Sequence, residues 1–267
     1  MATNALVLPF AASLYRRLWL LGILAGFLAF SRPCAAALLA LSTNSQATLN
    51  FVAPGSGSLT FQKGDIVQVT VNASGLATGA TILYSFGNVL NIDALYIRPN
   101  GNIILSTKFT ETVGGVTFRA GDLIEFNPSS NTAILFLKGN TETVGTDSFG
   151  NATSVFRNDN GTRANADIDG VHLINNDPAQ ILLSIGSGPK RMGSNYSANS
   201  YNDEDIINYN ALTDQSFMYV DFTPLFGNDV DGVSLHDNGN LLLERVQKQS
   251  CQAFDHEVDH CDIDEGL

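Results

Sequence analysis

The chain has 267 residues, 14 Lys+Arg against 26 Asp+Glu for a net charge of −12, and 44% hydrophobic residues. The apolar fraction argues against global disorder. The acidic balance argues against nucleic acid and anionic lipid as partners, because both demand clustered Lys and Arg.

At the N-terminus, Arg16 and Arg17 precede an apolar run over residues 18–30. Its 13 residues suit a signal-peptide core and are short for a membrane span. Ser31-Arg32-Pro33 interrupts the run, and Ala35-Ala36-Ala37 offers an A-x-A cleavage site. Residues 1–37 are therefore expected to be a signal peptide, and the mature chain to be secreted or periplasmic with no membrane insertion. An uncleaved anchor would place Arg32 in the bilayer at a cost of about 2.5–3.5 kcal/mol. Cleavage removes Trp19 and three arginines, leaving 11 Lys+Arg against 26 Asp+Glu, or −15. It also removes Cys34, leaving Cys251 and Cys261, which an oxidising compartment would let close a small loop.

Residues 38–245 read as short strands rich in Val, Ile, Leu, Phe and Thr. Turn residues separate them, among them most of the 25 Asn. The body is self-similar. Asn91-Ile-Asp93-Ala-Leu-Tyr-Ile97 aligns with Asp167-Ile-Asp169-Gly-Val-His-Leu173 and with Asp229-Val-Asp231-Gly-Val-Ser-Leu235. Asn100-Gly-Asn and Asn238-Gly-Asn follow the first and third copies. Asn-Gly between apolar runs predicts a hairpin on a type I′ turn, with positive φ at both central residues. The second copy has Asn176-Asp177-Pro178-Ala179 there, predicting a longer turn. A second motif alternates with the first. Leu59-Thr-Phe-Gln-Lys-Gly-Asp65 matches Val116-Thr-Phe-Arg-Ala-Gly-Asp122, and Asn202-Asp-Glu-Asp205 matches more loosely.

One repeat is thus four strands: a D-x-D strand, its hairpin partner, a G-D strand and a final apolar strand. The chain starts and ends mid-repeat. The expected fold is all-β, with about three four-stranded repeats in a propeller-like or pseudo-threefold closed arrangement. The N- and C-terminal strands would complete one unit. An open arc pairing with a second copy, a plain β-sandwich and two small sheets are the alternatives. Residues 246–267 form an acidic tail that can make a short helix.

The pattern D-[IV]-D-[AG], N-G-N, G-D-[LI] resembles a tandem β-repeat of exported bacterial proteins. The likeness covers residues 58–244. It implies a propeller-like sheet architecture and export, and no particular reaction.

Three places could carry chemistry. Asp93, Asp167, Asp169, Asp229 and Asp231 recur at equivalent positions, and oxygen-rich clusters of this kind suit Ca²⁺. The competing reading gives each aspartate a turn-forming role, accepting backbone N–H bonds at a strand start. Residues 186–201 form an insertion with Lys190, Arg191, Tyr196 and Tyr201, which reads as a ligand-binding loop or a disordered one. His256-Glu257-Val258-Asp259-His260 matches H-E-x-x-H. It lies too near the C-terminus to gain a downstream third ligand, and reads as a solvated tail or an adventitious Zn²⁺ or Cu²⁺ site. No nucleophile elbow, P-loop, G-x-G-x-x-G or C-x-x-C occurs.

These observations point to an exported, non-enzymatic β-repeat protein. It would bind a glycan, an envelope or extracellular component, or another protein through rim loops, with Ca²⁺ as its only expected cofactor. A homodimer is compatible with the repeat count. The alternative is a Ca²⁺-assisted hydrolase of propeller type, acting on an ester, lactone or phosphate.

Overall fold

The computed structural model describes residues 37–43, 45–52, 56–72 and 76–221, together with the strands Gly232–Leu235 and Leu241–Glu244. Strands dominate, and among the described residues the helical structure is a single 3-10 turn, Ile174–Asn176. The chain divides into two compact units, Met1–Val89 and Leu90–Leu267. The boundary falls inside the 38–245 body, just before the first D-x-D segment.

The first unit contains β1 (Ala37–Leu41), β2 (Ala47–Phe51), β3 (Gly57–Phe61), β4 (Asp65–Val71) and β5 (Ala77–Ser85). β1, β4 and β5 form an antiparallel sheet in that order, and β2 pairs with β3 in a hairpin. Val67, Val69 and Val71 alternate along β4 and bury one face of it with Phe61. Leu49, Leu59 and Ala80 pack against that cluster.

The second unit holds β6 (Ile92–Ile97), β7 (Ile103–Thr107), β8 (Glu111–Val113), β9 (Val116–Phe118), β10 (Leu123–Asn127) and β11 (Thr132–Leu137). It continues with β12 (Phe156–Arg157), β13 (Ile168–Leu173), β14 (Gln180–Ile185), β15 (Arg191–Met192), β16 (Ile206–Asn210) and β17 (Gln215–Val220). Its last strands are β18 (Gly232–Leu235) and β19 (Leu241–Glu244). Two four-stranded antiparallel sheets dominate, in the orders β6-β7-β10-β11 and β13-β14-β16-β17. Each has the composition expected of one repeat, with the D-x-D strand on one edge and the final apolar strand on the other. β7 and β14 lie between neighbours and are almost entirely buried, which is why they read as unbroken apolar runs. Ala94, Ile104, Leu123 and Leu137 of one sheet share a single core cluster with Val171, Leu173, Leu183 and Ile207 of the other. Burying each large apolar side chain there contributes about 1.5–3 kcal/mol.

The D-x-D strands are neighbours in series: β6 packs beside β13, and β13 beside β18. The expected closure is not formed by the described pairings. β18 and β19 make a two-stranded sheet of their own. In the first unit, β1 occupies the edge of β4 that a hairpin partner occupies in the two complete sheets. That edge is therefore already satisfied by backbone hydrogen bonds.

The turns also depart from expectation. At Asn100-Gly101 only Gly101 has positive φ, and its N–H donates to the Arg98 carbonyl at 2.9 Å. Pro99 presets the φ of the first central residue, so the chain takes a three-residue loop with glycine in the left-handed position rather than a type I′ turn. Consecutive left-handed residues occur instead at Gly87-Asn88, at Gly114-Gly115 between β8 and β9, and in the second repeat at Asn175-Asn176.

Candidate metal centre

The two motif aspartates have different fates, set by the backbone around them. Each G-D aspartate closes the turn that precedes its strand. The Asp65, Asp122 and Asp205 amides donate to the carbonyls three residues back, at 3.1, 3.0 and 3.2 Å. Their Oδ2 atoms accept from the amides of Gln62, Arg119 and Asn202 at 2.7, 2.9 and 2.7 Å. Gly64 and Gly121 adopt positive φ inside the first two turns, whereas the third carries Glu204 in that place. The turn-forming role that competed with metal binding therefore describes this set.

The D-x-D aspartates are placed by bulges. The β6–β7 register slips between Ile92 and Ala94, and the β13–β14 register slips between Ile168 and Gly170. Asp93 and Asp169 are the extra residues. Bulges of this kind re-aim a side chain and recur beside functional sites. Because β6 and β13 are neighbours, Asp93 meets Asp167 and Asp169. One carboxylate oxygen from each of the three lies within 4.8 Å of the others. All three residues are half-buried.

Three negative charges at this spacing repel by a few kcal/mol per pair at an effective dielectric of about 20. Burial raises the pKa of Asp167, and the Lys108 ammonium pulls it back down. Asp167 Oδ1 is buried and accepts no hydrogen bond, and the same holds for Asn91 Oδ1. Asn91 occupies the position in the first repeat that Asp167 occupies in the second. Its carbonyl accepts from the Lys108 amide at 3.0 Å, as that of Asp167 accepts from the Gly186 amide at 3.1 Å. A Cβ at Gly186 would meet the Asp169 carboxylate, which would have to move. Opposite the bulges, Ser106 and Ser184 are fully buried with hydroxyls that find no partner among the described residues. Three carboxylates meeting at this spacing suit a hard cation that takes six to eight oxygen ligands.

Sequence reasoning missed Lys108, Gly186, Ser106 and Ser184. The hairpin pairing itself was the available signal, because Lys108 and Gly186 end the partner strands of the two D-x-D segments. Asp229 and Asp231 lie outside the described residues, as do His236, His256, His260, Cys251 and Cys261. His172 packs edge-on against Tyr96, with ring centroids 5.0 Å apart, and burial lowers its pKa.

The insertion is not an open loop. Lys190 and Tyr201 exchange backbone hydrogen bonds at 2.8 and 2.7 Å. Arg191 donates to Asp159 Oδ1 at 2.9 Å and to the Tyr196 carbonyl at 2.9 Å. The Arg157 guanidinium lies 4.7 Å over the Tyr196 ring. Tyr201, expected as a ligand contact, is instead fully buried with its hydroxyl on Ser216 Oγ at 2.8 Å. The aromatic and cationic groups that suggested binding are used to fasten the insertion to the body.

No family model matches the chain, and no curated protein matches it. Among solved structures it is similar to the extracellular domain of a one-component system from B. thetaiotaomicron, at 12% identity and TM-score 0.31. That match covers 76% of this chain and 31% of the other. The extracellular domain of a hybrid two-component system from the same organism aligns at 9% identity and TM-score 0.31, covering 77% of this chain and 28% of the other. The chain thus spans about a third of the length of either. Likeness at this level transfers neither fold nor function.

Proposed function

We propose that the chain is an exported, non-enzymatic β-repeat binding protein whose sheets are clamped by Ca²⁺ at Asp93, Asp167 and Asp169. The observation that carries the metal reading is the meeting of these three carboxylates across β6 and β13. Asp229 and Asp231 would add the equivalent acids of the third repeat. The signal segment supports export, and with it an extracellular ligand such as a glycan or envelope component. The cation would fix the bulged ends of the D-x-D strands and so hold the loops at that rim in register.

The propeller-like reading goes with this. Two sheets have the full four-strand order, β1-β4-β5 carries a G-D strand and a final strand, and β18-β19 carries a D-x-D hairpin.

The test is a thermal melt of the chain in millimolar Ca²⁺ and in chelator. A ligand at a hundredfold excess over its Kd stabilises by about 2.7 kcal/mol, a shift of roughly 5–10 °C for a chain of this size. A shift of that order, lost in Asp169→Asn, is the expected result. An unchanged melt removes the cation from the proposal. Hydrolytic turnover that chelation abolishes would replace the binding role with the Ca²⁺-assisted hydrolase.

A further inference from the structure

Each G-D aspartate faces a residue on the outer strand that pairs with its own. Asp65 lies opposite Ser85 in the β4–β5 ladder. Extending the ladder past Leu123↔Leu137 sets Asp122 opposite Lys138, and extending it past Ile206↔Val220 sets Asp205 opposite Asp221. All three ladders slip at the same place, immediately after the residue that follows the aspartate, so these positions are equivalent.

The first two repeats satisfy the second carboxylate oxygen. The Ser85 hydroxyl donates to Asp65 Oδ1. The amides of Gly139 and Asn140 donate to Asp122 Oδ1, each at 2.9 Å. The third repeat does not. Asp205 is 1% exposed, and its Oδ1 is buried without a hydrogen-bond partner. A carboxylate stands where the first repeat has a hydroxyl donor. Asp203 and Glu204, in the turn that leads into β16, add two more acids, so all three charged side chains acting on Asp205 are negative. The buried Tyr201 phenol feels this carboxylate and stays neutral, its pKa raised chiefly by burial, with its hydroxyl on Ser216.

We propose that Asp205 holds a proton opposite the exposed Asp221, making the outer strand of this sheet an acid-fastened edge. With the proton present, Asp205 supplies an O–H between the strands, the role of the Ser85 hydroxyl in the first unit. Without it, two carboxylates face each other and the end of β17 loosens. That strand presents Phe217, Met218 and Tyr219 to solvent, so its docking governs an apolar surface. Burial, then the neighbouring acids, push the Asp205 pKa up to about 6. A raised carboxyl pKa contributes stability that is complete below the unfolded value of about 3.9. It is lost as pH rises through the folded value.

The test combines a carboxyl-carbon NMR titration of Asp205 in the intact chain with hydrogen exchange at residues 218–220, corrected for the intrinsic rate. Asp205 is expected to titrate near 6, and protection of those amides to fall by up to about tenfold between pH 5 and pH 8. Asp221→Ser, which imports the arrangement of the first unit, should keep the fold and flatten that dependence. Asp205→Asn should flatten it too. Titration of Asp205 in the ordinary carboxylate range, or an Asp221→Ser chain retaining the wild-type pH dependence, would overturn the proposal.

Discussion

The G-D turns and the D-x-D bulges carry the same residue type, yet the turns consume it with backbone N–H donors and the bulges set it against other carboxylates. At a G-D turn the backbone folds back on the carboxylate, and Asp122 accepts from the amides of Arg119, Gly139 and Asn140 and from the Thr143 hydroxyl. At a D-x-D bulge the register slips by one residue, and the carboxylates of two repeats meet. A repeated acid therefore meets N–H donors or other carboxylates according to the backbone around it. Its repetition alone does not decide.

The sharpest way to break this comparison is to remove a consumed acid. Asp122→Ala would leave three backbone amides and a hydroxyl without their fully buried acceptor. Each orphaned buried group costs about 1–3 kcal/mol, so a loss of roughly 3–5 kcal/mol is expected after partial relaxation. Urea unfolding measures it. A loss below about 1 kcal/mol would mean the turn forms without its aspartate.

Gly186→Ala should act next in size. The added Cβ meets the Asp169 carboxylate, which must move. Because a side-chain end yields more readily than backbone, the expected cost is about 1–2 kcal/mol. The Ca²⁺-dependent melting shift should vanish along with it. Retention of the full shift would show that Asp169 is not a ligand.

Much of this contrast is legible in the amino-acid sequence. The four-strand repeat, the order of its strands and the candidate cluster of Asp93 with Asp167 and Asp169 follow from aligning the copies with one another. What does not follow depends on backbone geometry that composition does not encode. The bulges at Asp93 and Asp169 are visible only once Ile92 is paired with Thr107 and Ile168 with Ile185. Pro99 overrides the Asn-Gly signal because it fixes φ one residue earlier. Tyr201 reads as a loop residue because the insertion is rich in Gly, Ser and Asn. Its burial depends on Ser216, fifteen residues away in sequence.

The smallest effect is the most discriminating, because its sign depends on the cation. Burial raises the Asp167 pKa above its unfolded value. Its contribution in chelator is therefore complete below about pH 4 and is lost as pH rises through the folded value. Asp167→Asn removes that ionisation and one of the three facing charges. In chelator at pH 7 the variant should melt at the wild-type temperature or a few degrees above it. It should also lose the part of the acid stabilisation that Asp167 supplies. In saturating Ca²⁺ the order reverses, because the bound ion favours the ionised carboxylate and acid then expels it. The wild type should gain stability from Ca²⁺ at pH 7 and surrender that gain on acidification, whereas the variant gains little at either pH. Melts of both chains at pH 5 and pH 7, with and without Ca²⁺, measure this. A variant that is less stable than wild type in chelator would place Asp167 among the consumed acids and dissolve the distinction between the two motifs.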